Sequence, residues 1–219
     1  MTEEATAGAD EPREPAPHEN VRKLSDAREL RALAHPVRMA LYEVLALHDS
    51  LTATQASKLV GGSPSSVAYH LRTLAKYGYV EETNDGTGRE RPWRRSHIGF
   101  SFSENTDDPE TNAAAQALSR QLFKRWLERR AEYQRTRDQW PERVREAVGN
   151  WNKVLFGTVE EFDELQDAFN RLFAKYQDRI ARPELRPEGW QTFELQLYTH
   201  PIDTSAFVLG DDDQHDEEN

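Results

Sequence analysis

Residues 63–78 read SPSSVAYHLRTLAKYG, and the fold that we expect rests mainly on this segment. Ser63 is a favourable N-cap and Pro64 suits the first helical position, so the sequence predicts a helix that begins here. Its apolar residues recur at helical spacing on one face: Val67, Leu71 and Leu74. Gly78 is typical of the residue that follows the end of a helix. The stretch therefore predicts one complete amphipathic helix.

A second helix is predicted immediately before it. Thr52 and Gln55 have the spacing of a capping box, in which each residue satisfies a backbone N–H near the helix start. One face of this short helix carries apolar residues: Ala56, Leu59 and Val60. Gly61-Gly62 ends it and leaves only a tight turn before Ser63. Two short helices joined in this way predict a helix-turn-helix.

The flanking segments extend the pattern on both sides. Asp26 and Glu29 favour a helix start before apolar Leu30, Leu33 and Ala34, and Pro36 opens a further helix. The stripe of this further helix consists of Val37, Leu41, Val44 and Leu45. Residues 79–83 and 89–97 read as strands around the Gly-rich turn 84–88. This order of elements is that of a winged helix, which we expect to span residues 24–104.

A candidate DNA-binding surface lies opposite the apolar face of the 63–78 helix. It is formed by Ser63, Ser65, Ser66, Tyr69, Arg72 and Lys76. The predicted hairpin adds Arg89, Arg91, Arg94 and Arg95. Residues 53–97 hold seven bases and four acids, a local excess of positive charge that suits contact with phosphates. Double-stranded DNA is therefore the predicted partner.

The overall charge of −11 lies in the two ends of the chain. Residues 1–20 contain six acids and one arginine, and residues 210–219 contain six acids and no base. We interpret residues 1–23 and 210–219 as disordered acidic tails, so the acidic composition does not argue against DNA binding. The acidic start does not resemble a signal peptide, and no apolar run is long enough to cross a bilayer. These features predict a cytoplasmic protein without membrane contact.

The second half predicts a long helix followed by a small mixed module. Asp108-Pro109 opens a helix over residues 108–141, and its stripe of Leu118, Leu122 and Trp126 is a candidate dimerisation surface. Residues 142–209 are expected to form an α/β module: a strand at 151–156, a helix capped by Thr158 and Glu161, and an alternating strand around 193–198. The predicted fold class is α+β, with an N-terminal winged helix-turn-helix, a long connecting helix and a strand-helix-strand module.

Aromatic residues are frequent in this half, and two interpretations stay open. They are Trp126, Trp151, Phe156, Phe162, Phe169, Phe173, Tyr176, Trp190 and Phe193. Such residues form either an ordinary core or the lining of a pocket for an organic effector.

Several of these motifs together resemble the ArsR-like winged-helix repressors. They are residues 30–38 (LRALAHPVR), 63–74 (SPSSVAYHLRTL), 78–80 (GYV) and 88–93 (GRERPW). The resemblance covers about residues 25–100. It implies operator binding by Ser63, Ser65, Ser66, Tyr69 and Arg72, with hairpin contacts from Arg89 and Arg91.

The chain departs from this family in its metal chemistry. Many ArsR-like repressors sense metals through cysteine thiolates, and this chain has no cysteine. Its histidines, at positions 18, 35, 48, 70, 97, 200 and 215, show no i, i+4 pairing. We therefore predict neither a metal site nor a cofactor. The absence of cysteine also excludes disulfides and iron–sulfur clusters.

The predicted function is that of a DNA-binding transcription regulator, a repressor that acts as a homodimer on an inverted repeat. One alternative is a winged helix that serves protein–protein contact without binding DNA. An enzyme is not predicted, because the sequence offers no nucleophile–base arrangement and no phosphate-binding loop.

Overall fold

The computed structural model describes residues 21–83, 91–150 and 152–203 of the 219-residue chain. The chain divides into two units between Arg186 and Pro187. In the first unit, the α-helices are Ala27–Ala34 (α1), Pro36–Leu47 (α2), Ala53–Val60 (α3), Pro64–Lys76 (α4), Pro109–Thr136 (α5), Glu142–Ala147 (α6) and Val159–Ala181 (α7). The strands are Val21–Leu24 (β1), Val80–Glu82 (β2), Trp93–Arg95 (β3) and Gly99–Phe102 (β4). In the described part of the chain, no helix has the length and apolar character needed to cross a membrane.

Local capping signals set the starts of the helices, as the sequence predicts. The N-caps of α3 and α7, Thr52 and Thr158, both form complete capping boxes. The carboxylate of Asp26 caps α1 by accepting a hydrogen bond from the Arg28 amide at 2.7 Å. Glu29 does not complete a box there, since its carboxylate pairs with Arg22 instead.

The core lies where α1, α2, α4 and α5 meet. Four of its leucines, Leu30, Leu33, Leu71 and Leu74, have no exposed surface at all. Burial of such a side chain stabilises the fold by roughly 1.5–3 kcal/mol, so this core is a main source of stability for the N-terminal region. The predicted stripe of α3 is wrong at one position: Leu59 is 53% exposed.

Two small sheets border this core. In the first, β2 pairs antiparallel with β3, with Glu81 opposite Arg94, as the predicted hairpin requires. Leu51 extends this sheet through two backbone hydrogen bonds with Trp93, at 2.8 and 2.9 Å. The tip of the hairpin, with Arg89, lies outside the described residues.

The second sheet was not predicted. In it, β1 pairs in parallel with β4, and Val21 lies opposite Gly99. The interpretation of residues 21–23 as part of the acidic tail is wrong, because they belong to this strand. No local pattern marks β1, because its pairing partner lies almost eighty residues away in the sequence.

The long helix α5 uses its predicted stripe within its own protomer. Leu118 is completely buried in the core and Leu122 packs against the same cluster. The helix packs on α1, and its guanidinium groups at Arg125 and Arg129 pair with Glu43 of α2. Arg129 Nη1 lies 2.9 Å from the Glu43 carboxylate. Leu118 therefore does not face a second copy, which corrects its assignment to the dimer surface.

The predicted strand-helix-strand module is wrong in its strands. Residues 152–156 have no regular secondary structure, although α7 follows as predicted. In the second unit, described over residues 187–203, the alternating segment around Phe193, Leu195 and Leu197 also forms no strand. A strand requires a partner for its backbone N–H and C=O groups, and alternation of side chains does not supply one.

The aromatic residues of this half do not form a core. Phe156 is 92% exposed and Trp190 is 51% exposed, and Trp151 lies outside the described residues. On α7 the rings stack along the helix, with the centroids of Phe169 and Phe173 6.1 Å apart. None of the described aromatic side chains of the set is fully buried: Trp126, Phe169 and Phe173 are half-buried, and the others are exposed.

Candidate nucleic-acid interface

The N-terminal turn of α4 presents a cluster of small hydroxyl groups. Ser63 Oγ accepts a hydrogen bond from the Ser66 amide at 3.2 Å and lies 3.0 Å from Ser65 Oγ. All three serines are exposed. Because the first amides of a helix point outward and carry the positive end of its dipole, this turn is suited to binding a phosphate.

The long side chains of the same face follow within two further turns. Tyr69 is 60% exposed, and Arg72 and Lys76 are also exposed. In the part of the chain that the structure describes, neither cation lies within ion-pair distance of a carboxylate. Thr73 is turned back onto the helix, where its hydroxyl donates to the carbonyl of Tyr69 at 3.0 Å. The exposed face therefore offers one aromatic ring and two unneutralised positive charges.

The turn between α3 and α4 depends on glycine. Gly61 and Gly62 have φ values of 82° and 85°, in the left-handed region that side chains with a Cβ rarely adopt. The Gly61 amide donates to the carbonyl of Ser57 at 3.0 Å and ends α3. The two residues let α4 begin immediately after α3, so the tight turn predicted from the sequence is confirmed.

The other end of α4 is closed by a Schellman motif. The Tyr79 amide donates to the Leu74 carbonyl at 3.0 Å, and the Gly78 amide donates to the Ala75 carbonyl at 2.9 Å. Gly78 has a φ of 71°, as this motif requires. The motif ends the helix and leads the chain directly into β2.

Arg22 connects the N-terminal strand to this closing turn. Its guanidinium donates to the carbonyl of Tyr77 and to the Glu29 carboxylate, the latter at 2.6 Å, and lies 5.2 Å from the centre of the Tyr79 ring. No local pattern in the sequence indicates this role, since Arg22 lies in a segment interpreted as a tail. It is a residue that positions α4 rather than one that faces a ligand.

The hairpin arginines have three different surroundings. Arg94 pairs with Glu81 across the hairpin at 2.8 Å, and Arg91 lies 3.8 Å from Glu82. Both pairs are exposed, so each arginine can exchange its carboxylate for a phosphate at small energetic cost. Arg95 instead lies over the ring of Tyr42, 4.1 Å from its centre, and donates to its hydroxyl at 2.7 Å. Arg95 is therefore not part of the candidate interface, because its guanidinium is bound to Tyr42.

Tyr42 is the buried residue that contacts Arg95. Burial raises the pKa of its hydroxyl, and the neighbouring Arg95 only partly offsets this effect. The neutral phenol therefore accepts the hydrogen bond from Arg95. This contact fixes β3 against α2 and so sets the base of the hairpin.

Two histidines pack against each other between α4 and the start of α2. The ring centroids of His35 and His70 lie 4.9 Å apart, and His35 Nδ1 accepts a hydrogen bond from the Val37 amide at 3.2 Å. Burial lowers the pKa of both imidazoles, and the nearby Arg38 lowers both further. His70 is half-buried and is a packing residue of the domain.

Because of the His35–His70 pair, we expect the protein to lose stability in mild acid. Because the folded-state pKa values are lowered, the pair's contribution is present above about pH 6.5, the value of an unfolded histidine. It is lost as the pH falls through the folded pKa values. The capping carboxylates titrate lower, Asp26 with a pKa of about 2, so they do not obscure this window. We expect the free energy of unfolding in urea to fall between pH 6.5 and pH 5.

A His70→Gln variant should show a flatter profile over this range. The matched control is His48→Gln, which alters an exposed ring and should retain the slope of the parent protein. Equal slopes for all three proteins would contradict the assignment.

The comparison with known families agrees with this geometry. Residues 33–83 match the family model of a helix-turn-helix domain. The match extends from the end of α1 to the end of β2, and so includes α3, the Gly61-Gly62 turn and α4. No curated protein matches the chain. Residues 33–83 therefore form a helix-turn-helix domain.

Proposed function

We propose that this chain is a sequence-specific DNA-binding regulator of transcription that inserts α4 into the major groove. The observation that carries the proposal is the helix-turn-helix domain at residues 33–83, with the polar face of α4 exposed. In such domains the second helix presents its N-terminal residues to base edges. This role fits the small hydroxyls of Ser65 and Ser66, which allow a close approach of the helix to the groove.

Each part of the surface has its own role in this proposal. Tyr69 and Arg72 lie one turn apart on α4 and read base edges, whereas Lys76 contacts the backbone. Arg89, Arg91 and Arg94 of the hairpin act as a wing that contacts phosphates or the adjacent minor groove. The likeness to ArsR-like winged-helix repressors in residues 25–100 supports this division.

The proposal includes a homodimer that represses transcription in the cytoplasm by occluding an inverted repeat. A two-fold dimer presents two α4 helices to half-sites about 10 bp apart, or a multiple of that distance. On α5, apolar side chains are exposed beyond Leu122: Phe123 is 43% exposed and Leu127 is 46% exposed. Trp126 is half-buried, and its ring stacks on that of Phe123 with the centroids 5.8 Å apart. The effector class in this proposal is an organic molecule rather than a metal, since the chain has no cysteine and its histidines show no i, i+4 pairing.

The proposal is tested by selecting bound duplexes from a random DNA library with the full chain. We expect the enrichment of one inverted repeat, bound at least about 10³-fold more tightly than scrambled DNA at physiological salt. Binding should weaken steeply as salt rises, because phosphate contacts release counterions. A library that shows no enrichment, together with no duplex binding at low salt, would contradict the proposal and favour a protein-contact role.

A further inference from the structure

The C-terminal helix α7 carries an apolar stripe that the rest of the first unit leaves at the surface. Its members recur at intervals of three and four residues: Phe162, Leu165, Phe169, Leu172 and Tyr176. Leu172 is 57% exposed, and Phe162 is 37% exposed. Alternating three- and four-residue spacing is the pattern of a coiled-coil seam, in which a narrow apolar stripe faces another helix.

Helix α7 is also long for a helix whose apolar stripe is exposed. Its 23 residues correspond to about 35 Å, or three heptads. Isolated helices in water gain little stability from propensity alone, and most obtain it by packing an apolar face. The capping box at Thr158 fixes where α7 begins, but it does not bury the stripe.

The charges of α7 are separated along its axis. The first part, residues 159–167, contains five acids and no base: Glu160, Glu161, Asp163, Glu164 and Asp167. Residues 171–182 contain four bases and one acid: Arg171, Lys175, Arg179, Arg182 and Asp178. Such a distribution stabilises a single helix through its dipole, and it also restricts which partner helix can lie alongside.

A second copy of the same helix satisfies this restriction in one orientation. If two α7 helices pack side by side in the same direction, acids lie beside acids and bases beside bases. If they pack antiparallel about a two-fold axis near residues 170–171, each acidic half lies beside a basic half. Phe169 of one copy then faces Leu172 of the other, and Leu165 faces Tyr176.

We propose that α7 pairs with α7 of a second copy as an antiparallel coiled coil. The apolar stripe provides the attraction and the separated charges select the orientation. This pairing deepens the homodimer of the proposed function by assigning one of its contacts to the C-terminal region. It does not depend on DNA binding, and its tests require no DNA.

Sedimentation of the full chain tests the contact. We expect a Leu172→Glu variant to dissociate at a concentration at least about tenfold higher than the parent protein, because both copies lose a buried leucine. The exposed position of Leu172 leaves the core of each protomer intact, which circular dichroism can verify. The matched control is Arg171→Gln, which changes the charge by the same amount at an exposed position on the opposite face of α7 and should have little effect.

Spin labels on the full chain test the orientation. The chain contains no cysteine, so a single substitution gives a single labelling site. Val159, at the helix start, is 73% exposed, and Ala168, near the expected axis, is exposed. In an antiparallel pair, labels at Val159→Cys are separated by about 30 Å or more, and labels at Ala168→Cys by about 15 Å.

The outcomes are distinct. Short distances at both sites would indicate a parallel pair and overturn the proposal. A parent protein that remains monomeric, or a Leu172→Glu variant that dissociates like the parent, would also overturn it. A monomeric parent would also contradict the homodimer of the proposed function, whereas the other results would leave that homodimer in place. DNA binding itself is tested separately, by selection from a duplex library.

Discussion

We expect Leu118→Ala to lower the free energy of unfolding by about 2–5 kcal/mol, as for other leucines truncated in a closed core. Leu118 has no exposed surface and belongs to the same buried cluster as Leu30 and Leu33 of α1. Its truncation therefore leaves a cavity in the region that supports the helix-turn-helix. Urea unfolding followed by circular dichroism measures the loss.

The matched control for this prediction is an exposed leucine on α3. Leu59 is 53% exposed, and Leu59→Ala should change the free energy of unfolding by less than about 1 kcal/mol. Sedimentation adds a second measurement, because folded Leu118→Ala protein should associate as the parent does. If the variant instead remained fully stable and became monomeric, Leu118 would face a partner and the assignment to the core would be wrong.

The second large effect concerns the reading of DNA. Tyr69→Ala and Arg72→Ala should each cost about 1–3 kcal/mol at the cognate site and much less on scrambled DNA, which relaxes sequence preference. Both side chains are exposed on α4, one turn apart. Binding of cognate and scrambled duplexes at several salt concentrations measures both affinity and preference.

The hairpin variants are the matched comparison. Arg89→Ala and Arg91→Ala should weaken binding to all duplexes alike and reduce the slope of log affinity against log salt by about one each. For Arg91 the loss also leaves the carboxylate of Glu82 without its nearby cation. If the hairpin variants lost discrimination and the α4 variants kept it, the roles would be reversed. If none of the four had an effect, the domain would not be a DNA reader.

The helix-turn-helix was predictable because its signals are local. Thr52, Ser63 and Gly78 each determine a helix boundary through hydrogen bonds within a few residues of themselves. The apolar stripe of α4 then identifies the buried face, and the remaining face is the candidate interface. Short-range chemistry of this kind is contained in the order of the residues, so no knowledge of the rest of the molecule was needed.

Some parts of the site were not predictable because they depend on distant residues. Arg22 reaches the carbonyl of Tyr77 only after β1 has paired with β4. Arg95 and Arg94 are neighbours in one strand, yet their side chains point to opposite faces, and only the presence of Tyr42 shows which one is held inside. Composition identified a basic hairpin but could not divide its arginines between interior and surface.

By itself, the sequence determined the helix boundaries from α3 to the start of β2, the polar face of α4 and the concentration of acid in the two ends of the chain. Tertiary structure alone decided that Leu118 is covered by α1 and that residues 21–24 form a strand with residues 99–102. It also decided that the alternating segment around Leu195 forms no strand in the described second unit. The physical reason is that a cap or a turn is satisfied by neighbours in the chain, whereas a strand or a buried stripe is satisfied only by a partner that folding brings to it.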